Sequence, residues 1–237
     1  DWRGVNELLD DPRWSGYDVP PTSNANYGWI LNMVSKLSQN GVAGFILANG
    51  ALSGGGEEYK IRKKLIENDL VESIVILPRN LFYTTDISVT LWILNANKKQ
   101  REFEQNAKTK IHRDRTNEIL FMDLRQKGIP FEKKFTQFDD ATVEEVTNTY
   151  HVWQSDKKAY ENIAEYCYSA SKDEVEKKDY SLVPSKYIEF VNRDENIDFD
   201  TKMTALQSEF VELLKEEEKS KQELLTVFKE LGYEIKL

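Results

Sequence analysis

Ala43-Gly44-Phe45-Ile46-Leu47-Ala48, Val71-Glu72-Ser73-Ile74-Val75-Ile76-Leu77-Pro78 and Ser88-Val89-Thr90-Leu91-Trp92-Ile93-Leu94 are short apolar runs set in polar sequence. Each is of strand length and bounded by turn-forming residues. The first is continuously apolar, as expected of a strand buried on both faces. Before it, Ser23 or Asn24 is placed to cap a helix running to about Gln39. Tyr27, Ile30, Leu31, Val34 and Leu37 recur along it at helical spacing, and Asn40-Gly41 stops it. Between the first two strands lie a Ser53-Gly54-Gly55-Gly56 loop and a second helix from Glu57 to about Asn68. This alternation predicts an α/β fold with a mostly parallel sheet and covering helices. The short return between the last two strands suits an antiparallel pair at one side.

Working outward, Asp1 to Thr22 is loop-like, broken by Asp11-Pro12, Gly16 and Pro20-Pro21. The opening Asp1-Trp2-Arg3-Gly4, with no initiator Met, suggests a cut end. Downstream, Lys98 to Arg115 is polar and locally basic, and Ile119 to Asp123 reads as another strand. Helical patterns follow at Thr142 to Trp153 and Lys172 to about Lys177, with an extended piece at Tyr180 to Val183. From about Asp200 to Leu231, Met203, Leu206, Phe210, Leu213, Leu224, Val227 and Leu231 keep a 3-4 spacing. Glu217 and Ser220 fill the two middle positions of that seam. The tail is therefore a long amphipathic helix whose polar break can set register or partner choice.

Composition narrows the function. The 237 residues are 40% hydrophobic and 31% charged, enough to bury a core. A single cysteine excludes a disulfide framework, and His112 and His151 lie too far apart in sequence to suggest a zinc motif. No apolar run has the length of a membrane span and no signal peptide opens the chain, so a cytoplasmic setting is expected. The net charge of −9 is the wrong overall sign for a free-standing nucleic-acid binder.

Local chemistry is sparse. Ser53-Gly54-Gly55-Gly56 precedes a helix, but Glu57 and Glu58 occupy the helix end that an anion would need, so the run reads as a flexible loop. Cys167 has no basic neighbour and reads as an idle thiol. The stretch carrying Lys98, Lys99, Arg101, Lys108, Lys110, Arg113 and Arg115 is a candidate for phosphate contacts or a solvated loop. Phe82, beside Tyr83, Thr84 and Thr85 in a loop between two strands, is placed either to stack on a base or to anchor the core. No residue set assembles a catalytic or metal site.

Larger blocks resemble one family. They are Asn24-Ala25-Asn26-Tyr27-Gly28-Trp29, Gly41 to Gly50, Ile61 to Glu67, Val71 to Pro78, Leu81-Phe82-Tyr83-Thr84-Thr85 and Leu91-Trp92-Ile93-Leu94-Asn95. With Asp1-Trp2, Pro12-Arg13-Trp14 and Thr149 to Trp153, these resemble the modification subunit of type I restriction-modification systems, an adenine-N6 DNA methyltransferase. The resemblance implies the C-terminal half of a Rossmann-like sheet that uses S-adenosylmethionine, followed by a helical C-terminal extension. The three quoted runs would be its fifth, sixth and seventh strands. It divides the chain into a catalytic-domain half over 1–130, a mixed helical connecting region over 131–197 and a docking helix over 198–237. Phe82 would match the aromatic that stacks on the target base, with Asn26 and Tyr27 as candidates to line the pocket. The tail helix would dock on the specificity subunit, in an assembly with the restriction subunit and double-stranded DNA. Self-association, or a purely non-catalytic docking role, is the alternative. The family's Asn-Pro-Pro-Phe and glycine-rich cofactor motifs do not occur in this sequence. This stretch alone is therefore expected to hold no cofactor and to be inactive.

Overall fold

The computed structural model describes residues 5–105, 108–191 and 198–233; of Val5, Asn6, Gln105 and Lys108 it describes the backbone alone. Asp1 and Trp2 lie outside these residues. The chain divides into two compact units, 1–190 and 191–237.

The first unit is built on a five-stranded mixed sheet. Its strands are β1 (Val42–Ala48), β2 (Val71–Ile76), β3 (Val89–Asn95), β6 (Glu118–Asp123) and β9 (Cys167–Ser171), in the spatial order β1-β3-β2-β6-β9. Strands β4 (Arg101–Gln105) and β5 (Lys108–His112) form a separate hairpin, as do β7 (Ile129–Phe131) and β8 (Phe135–Gln137). The expectation of a mostly parallel sheet is corrected. Among these neighbours β2 and β6 are parallel, whereas β1–β3, β2–β3 and β6–β9 are antiparallel. The cause is the short loop after β2, which turns the chain straight back so that β3 fills the gap between β1 and β2. The stretch 131–197 contributes β9 to this same sheet, so no break between compact units falls at residue 130.

A second correction concerns β1. Its residues alternate between exposed and half-buried, because it is an edge strand with one face open to solvent. Ile46 and Val42 are exposed on it. An apolar run reports hydrophobicity but not which neighbours a strand will have.

Alternation along the inner strands separates two cores. Trp92, Leu94, Ile74, Ile119 and Phe121 face one side, where α1 (Asn26–Val34) and α2 (Gly56–Glu67) cover them. Trp92 is fully buried, stacked on Phe45 and met edge-on by Tyr27. Val75, Leu77, Leu120 and Met122 face the other side, against Trp153 of α3 (Asp140–Ser155). Helix α1 ends at Val34, short of the expected Gln39, and Ser35 to Leu37 continue as turns. Asn24 does accept the Asn26 N–H at 3.0 Å near its start. After the short α4 (Lys172–Lys177) and a turn ending at Tyr180, Ser181 to Val183 pair in no strand; Val183 is extended, and the Leu182 N–H donates to the Leu52 carbonyl at 2.9 Å. The glycine loop is pinned rather than free: Arg62, buried on α2, donates to the Gly54 carbonyl at 2.7 Å and to the Tyr180 carbonyl at 2.8 Å.

The second unit contains α5 (Phe199–Glu230), 32 residues long, capped by Asp198, which accepts the Thr201 N–H. No described helix is long and apolar enough to cross a membrane.

Candidate functional site

Where β2 and β6 end side by side, their following loops diverge and leave a crevice. In open α/β sheets this is where ligands bind, because the backbone splays there and side chains from several loops converge. The crevice holds about 570 Å³ and is lined by Asn49, Pro78, Asn80, Arg125, Lys127 and Thr136, among others. Asn49 follows β1 and accepts the Thr90 hydroxyl at 2.5 Å. Arg79 pairs with Asp86 at 3.3 Å on the rim. Arg125 grips Asp123 through both carboxylate oxygens, and this bond raises the guanidinium above its ordinary range. Lys127 binds Glu145 at 2.6 Å and lies 4.5 Å from the Tyr166 ring centroid.

The loop after β2 forms one wall of the crevice and the β7–β8 hairpin another. Asn80 adopts a left-handed φ of 59°, a conformation asparagine tolerates better than most residues. Its carbonyl accepts the Thr136 N–H at 2.9 Å, which couples loop to hairpin. Gly128 opens the hairpin at φ 98°, and a Cβ there would lie 2.9 Å from Thr136 Cγ2 and 3.0 Å from the Gln137 carbonyl oxygen. A side chain would therefore push β7 and β8 apart.

The structure distributes the sequence-selected residues unevenly. Phe82 lies in the expected loop but is half-buried and packs against the α3-side core. Its neighbour Tyr83 is 72% exposed. Asn26 is half-buried at the start of α1. Tyr27 is fully buried, and its hydroxyl donates to the Ala51 carbonyl at 2.6 Å. Burial holds that phenol up to about pKa 12.

The basic stretch also separates. Lys98 and Arg115 are buried and Arg113 is half-buried, and each is paired with a carboxylate of the fold. The Lys98 ammonium sits 2.6 Å from Asp69 and donates to the Val71 and Glu118 carbonyls. Burial lowers its pKa against the pull of Asp69. Arg113 forks onto Glu118 and donates to the Trp153 carbonyl at 2.7 Å. Arg115 is fully buried beside Glu72. Lys99 and Lys110 are exposed, and Arg101 is half-buried with its guanidinium 6.0 Å from the Phe103 ring. The Lys108 side chain lies outside the described residues. The two histidines, distant in sequence, line one 240 Å³ cleft with Lys110 and Phe103. No group of three metal-ligating residues forms among the described residues.

On α5, Met203, Leu206, Phe210, Leu213, Leu224 and Val227 are all exposed, as is Leu231 at its C-cap. Sequence reasoning missed the crevice residues Arg79, Arg125 and Lys127, and Tyr83. Their signal was positional, since each lies within a few residues of the end of an adjacent parallel strand.

The first unit is a mixed α/β fold with a crevice at the ends of its adjacent parallel strands. The chain belongs to the N-6 DNA Methylase family, whose model matches residues 1–196. It is 36% identical over 233 residues to the Type I restriction enzyme HindI methylase subunit of Haemophilus influenzae, covering 96% of this chain and 48% of that protein. It is 31% identical to the MjaIX methylase subunit of Methanocaldococcus jannaschii, covering 98% of this chain and 40% of the relative. Among solved structures it is similar to a type I restriction-modification methyltransferase subunit from Streptococcus thermophilus. That match has a TM-score of 0.65 at 28% identity and covers 80% of this chain and 36% of the other. The chain thus spans about half the length, or less, of these relatives.

S-adenosylmethionine, which the family implies, carries a sulfonium cation and ribose hydroxyls. The residues present do not fit it. The crevice lining carries Arg79, Arg125 and Lys127 and no carboxylate to meet a sulfonium.

Proposed function

We propose that this chain is part of the modification subunit of a type I restriction-modification system, which transfers a methyl group from S-adenosylmethionine to adenine N6. Family membership over residues 1–196 carries the reading. The order β1-β3-β2, with β3 antiparallel between two co-directional strands, supports a Rossmann-like methyltransferase sheet. The chain's share of the work is to present the Phe82–Tyr83 loop to the target base and to supply the docking helix. S-adenosylmethionine belongs to other segments of the intact subunit, and the 237-residue chain by itself binds none and is inactive.

Lys99, Arg101, Lys108 and Lys110 on the β4–β5 hairpin and its approach contact the DNA backbone. The apolar seam of α5 docks on the specificity subunit, and the restriction subunit and duplex DNA complete a cytoplasmic assembly. Packing of that seam against partner helices follows the helix-in-groove mode, read as anchors at i, i+3, i+7. The net −9 is compatible with this division, because sequence reading would rest with the partner.

The test is a methylation assay on the intact assembly with isotope-labelled S-adenosylmethionine, followed by nucleoside analysis. Labelled N6-methyladenine is expected. Label on cytosine, or none, would overturn the reading. Calorimetry of the 237-residue chain against S-adenosylmethionine should show no binding, and a measurable affinity would overturn the assignment of the cofactor elsewhere.

A further inference from the structure

We propose that the crevice between the β2 and β6 ends holds a phosphate of the DNA backbone, gripped by Arg79, Arg125 and Asn49. This rests on the methyltransferase reading and deepens it, adding a phosphate site separate from the β4–β5 hairpin.

The lining selects an oxyanion. It carries Arg79, Arg125 and Lys127, and among the described residues no carboxylate and no aromatic ring lines it. A cationic ligand is repelled there, and a nucleobase finds no ring to stack on. A phosphate needs only positive charge and N–H donors, and a guanidinium supplies both. Lys127 is held by both oxygens of Glu145, so the grip falls to the two arginines.

The contacts these donors already make fix them and leave part of each unused. Arg125 gives Nε and Nη2 to the buried Asp123, which orients the planar guanidinium. Its Nη1 has no acceptor among the described residues. Arg79 gives Nε and Nη2 to Asp86, with the two side chains 69% and 72% exposed. A pair so exposed is weak, and a phosphate can displace Asp86. Asn49 accepts the Thr90 hydroxyl through Oδ1, so its amide NH2 remains for the crevice. The walls are set beforehand, because the Thr136 N–H joins the β7–β8 hairpin to the Asn80 carbonyl, and a preformed site loses less freedom on binding. Arg79 and Asn80 also lead directly into Leu81-Phe82-Tyr83, the loop assigned above to the target base. A nucleotide swung out of a duplex turns about its own backbone, so a grip on a phosphate beside that loop steadies the pivot.

The experiment uses the intact methyltransferase assembly and duplexes in which one phosphate at a time is replaced by an uncharged methylphosphonate. Wild type should lose about tenfold in affinity at a position flanking the target adenine. Arg125→Gln and Asn49→Asp should each weaken binding of the unmodified duplex by a similar factor, and the methylphosphonate at that position should then cost little more. Asn49→Asp keeps an acceptor for Thr90 and strands no buried charge, so it tests the site even if Arg125→Gln unfolds by leaving Asp123 unpaired. Replacing Lys99 and Lys110 with Ala should leave the cost of that methylphosphonate as in wild type, because those residues belong to the separate hairpin site. If Asn49→Asp binds the unmodified duplex like wild type, or pays the full cost at every methylphosphonate, the proposal falls. Loss of ADP binding in the variants with DNA affinity unchanged would give the crevice to a free nucleotide and overturn it equally. If the wild-type assembly neither binds the duplex nor methylates adenine, the methyltransferase reading fails and this inference fails with it.

Discussion

Glu72 and Arg115 form an ion pair at 3.4 Å with both side chains wholly excluded from solvent. Glu72 is on β2, and Arg115 lies between the β4–β5 hairpin and β6. Around the carboxylate gather Gln154 at 2.9 Å, the Tyr150 hydroxyl at 3.2 Å, and Asn95. The pair therefore joins the sheet, α3 and the root of the basic hairpin at one point. Burial pushes Arg115 below its ordinary pKa and, with the Glu72 charge adding to it, pushes the Tyr150 phenol upward.

Removing one partner leaves the other charged and buried. Glu72→Ala or Arg115→Ala should destabilise the fold by about 3–5 kcal/mol. Replacing both with apolar residues of similar size, Glu72→Leu with Arg115→Met, should cost much less than either. Urea denaturation of all three variants checks this; a double variant as unstable as the singles would refute the pairing.

The hairpin cations should act through phosphate rather than stability. In the intact assembly, replacing Lys99, Arg101 and Lys110 with Ala should reduce the slope of log affinity against log salt by about 0.9 for each phosphate no longer neutralised. Thermal midpoint should change little, because Lys99 and Lys110 are exposed. Lys98→Ala should do the reverse, lowering Tm because Asp69 is left without its ammonium partner. A salt series of binding titrations distinguishes them.

His112 should make stability pH-dependent. Burial lowers its pKa from 6.5 to about 4, helped by the Arg115 and Arg101 charges. The unfolded chain takes up a proton near pH 6.5 and the folded one only near 4. Its contribution is therefore complete above about pH 6.5 and fades as pH falls toward 4. His112→Gln should flatten the stability profile in that window, measured by chemical denaturation from pH 4 to 8. An unchanged slope would show that this imidazole titrates normally.

Leu213→Asp combined with Leu224→Asp should abolish binding of the specificity subunit in co-purification while leaving unfolding of the 1–190 unit unchanged. Both side chains are exposed in α5, so the change places charge on a surface rather than in a core. Retained binding would remove this seam as the dock.

Gly128→Ala should lower Tm modestly and loosen the β7–β8 hairpin, visible as faster amide exchange at Thr136. The strain comes from a left-handed φ of 98° combined with a 2.9 Å approach to Thr136. Protection equal to wild type would show that the hairpin accommodates the methyl group.

By itself the sequence determined the elements that local pattern encodes. The strands at Val71–Ile76 and Val89–Asn95, helix Gly56–Glu67 and the long Phe199–Glu230 helix follow from runs and periods of neighbouring residues. The family was legible for the same reason, since its motifs are contiguous. Tertiary structure alone decided what neighbours do to each other across space. It placed β3 between β1 and β2, left β1 at an edge, and buried Lys98 and Arg115 while Lys99 and Lys110 stayed out. It also turned Phe82 toward the core and Tyr83 away from it. Charge and aromaticity are properties of a residue, but burial and pairing belong to the residues brought beside it, and for Arg115 that partner is Glu72, forty-three positions earlier in the chain.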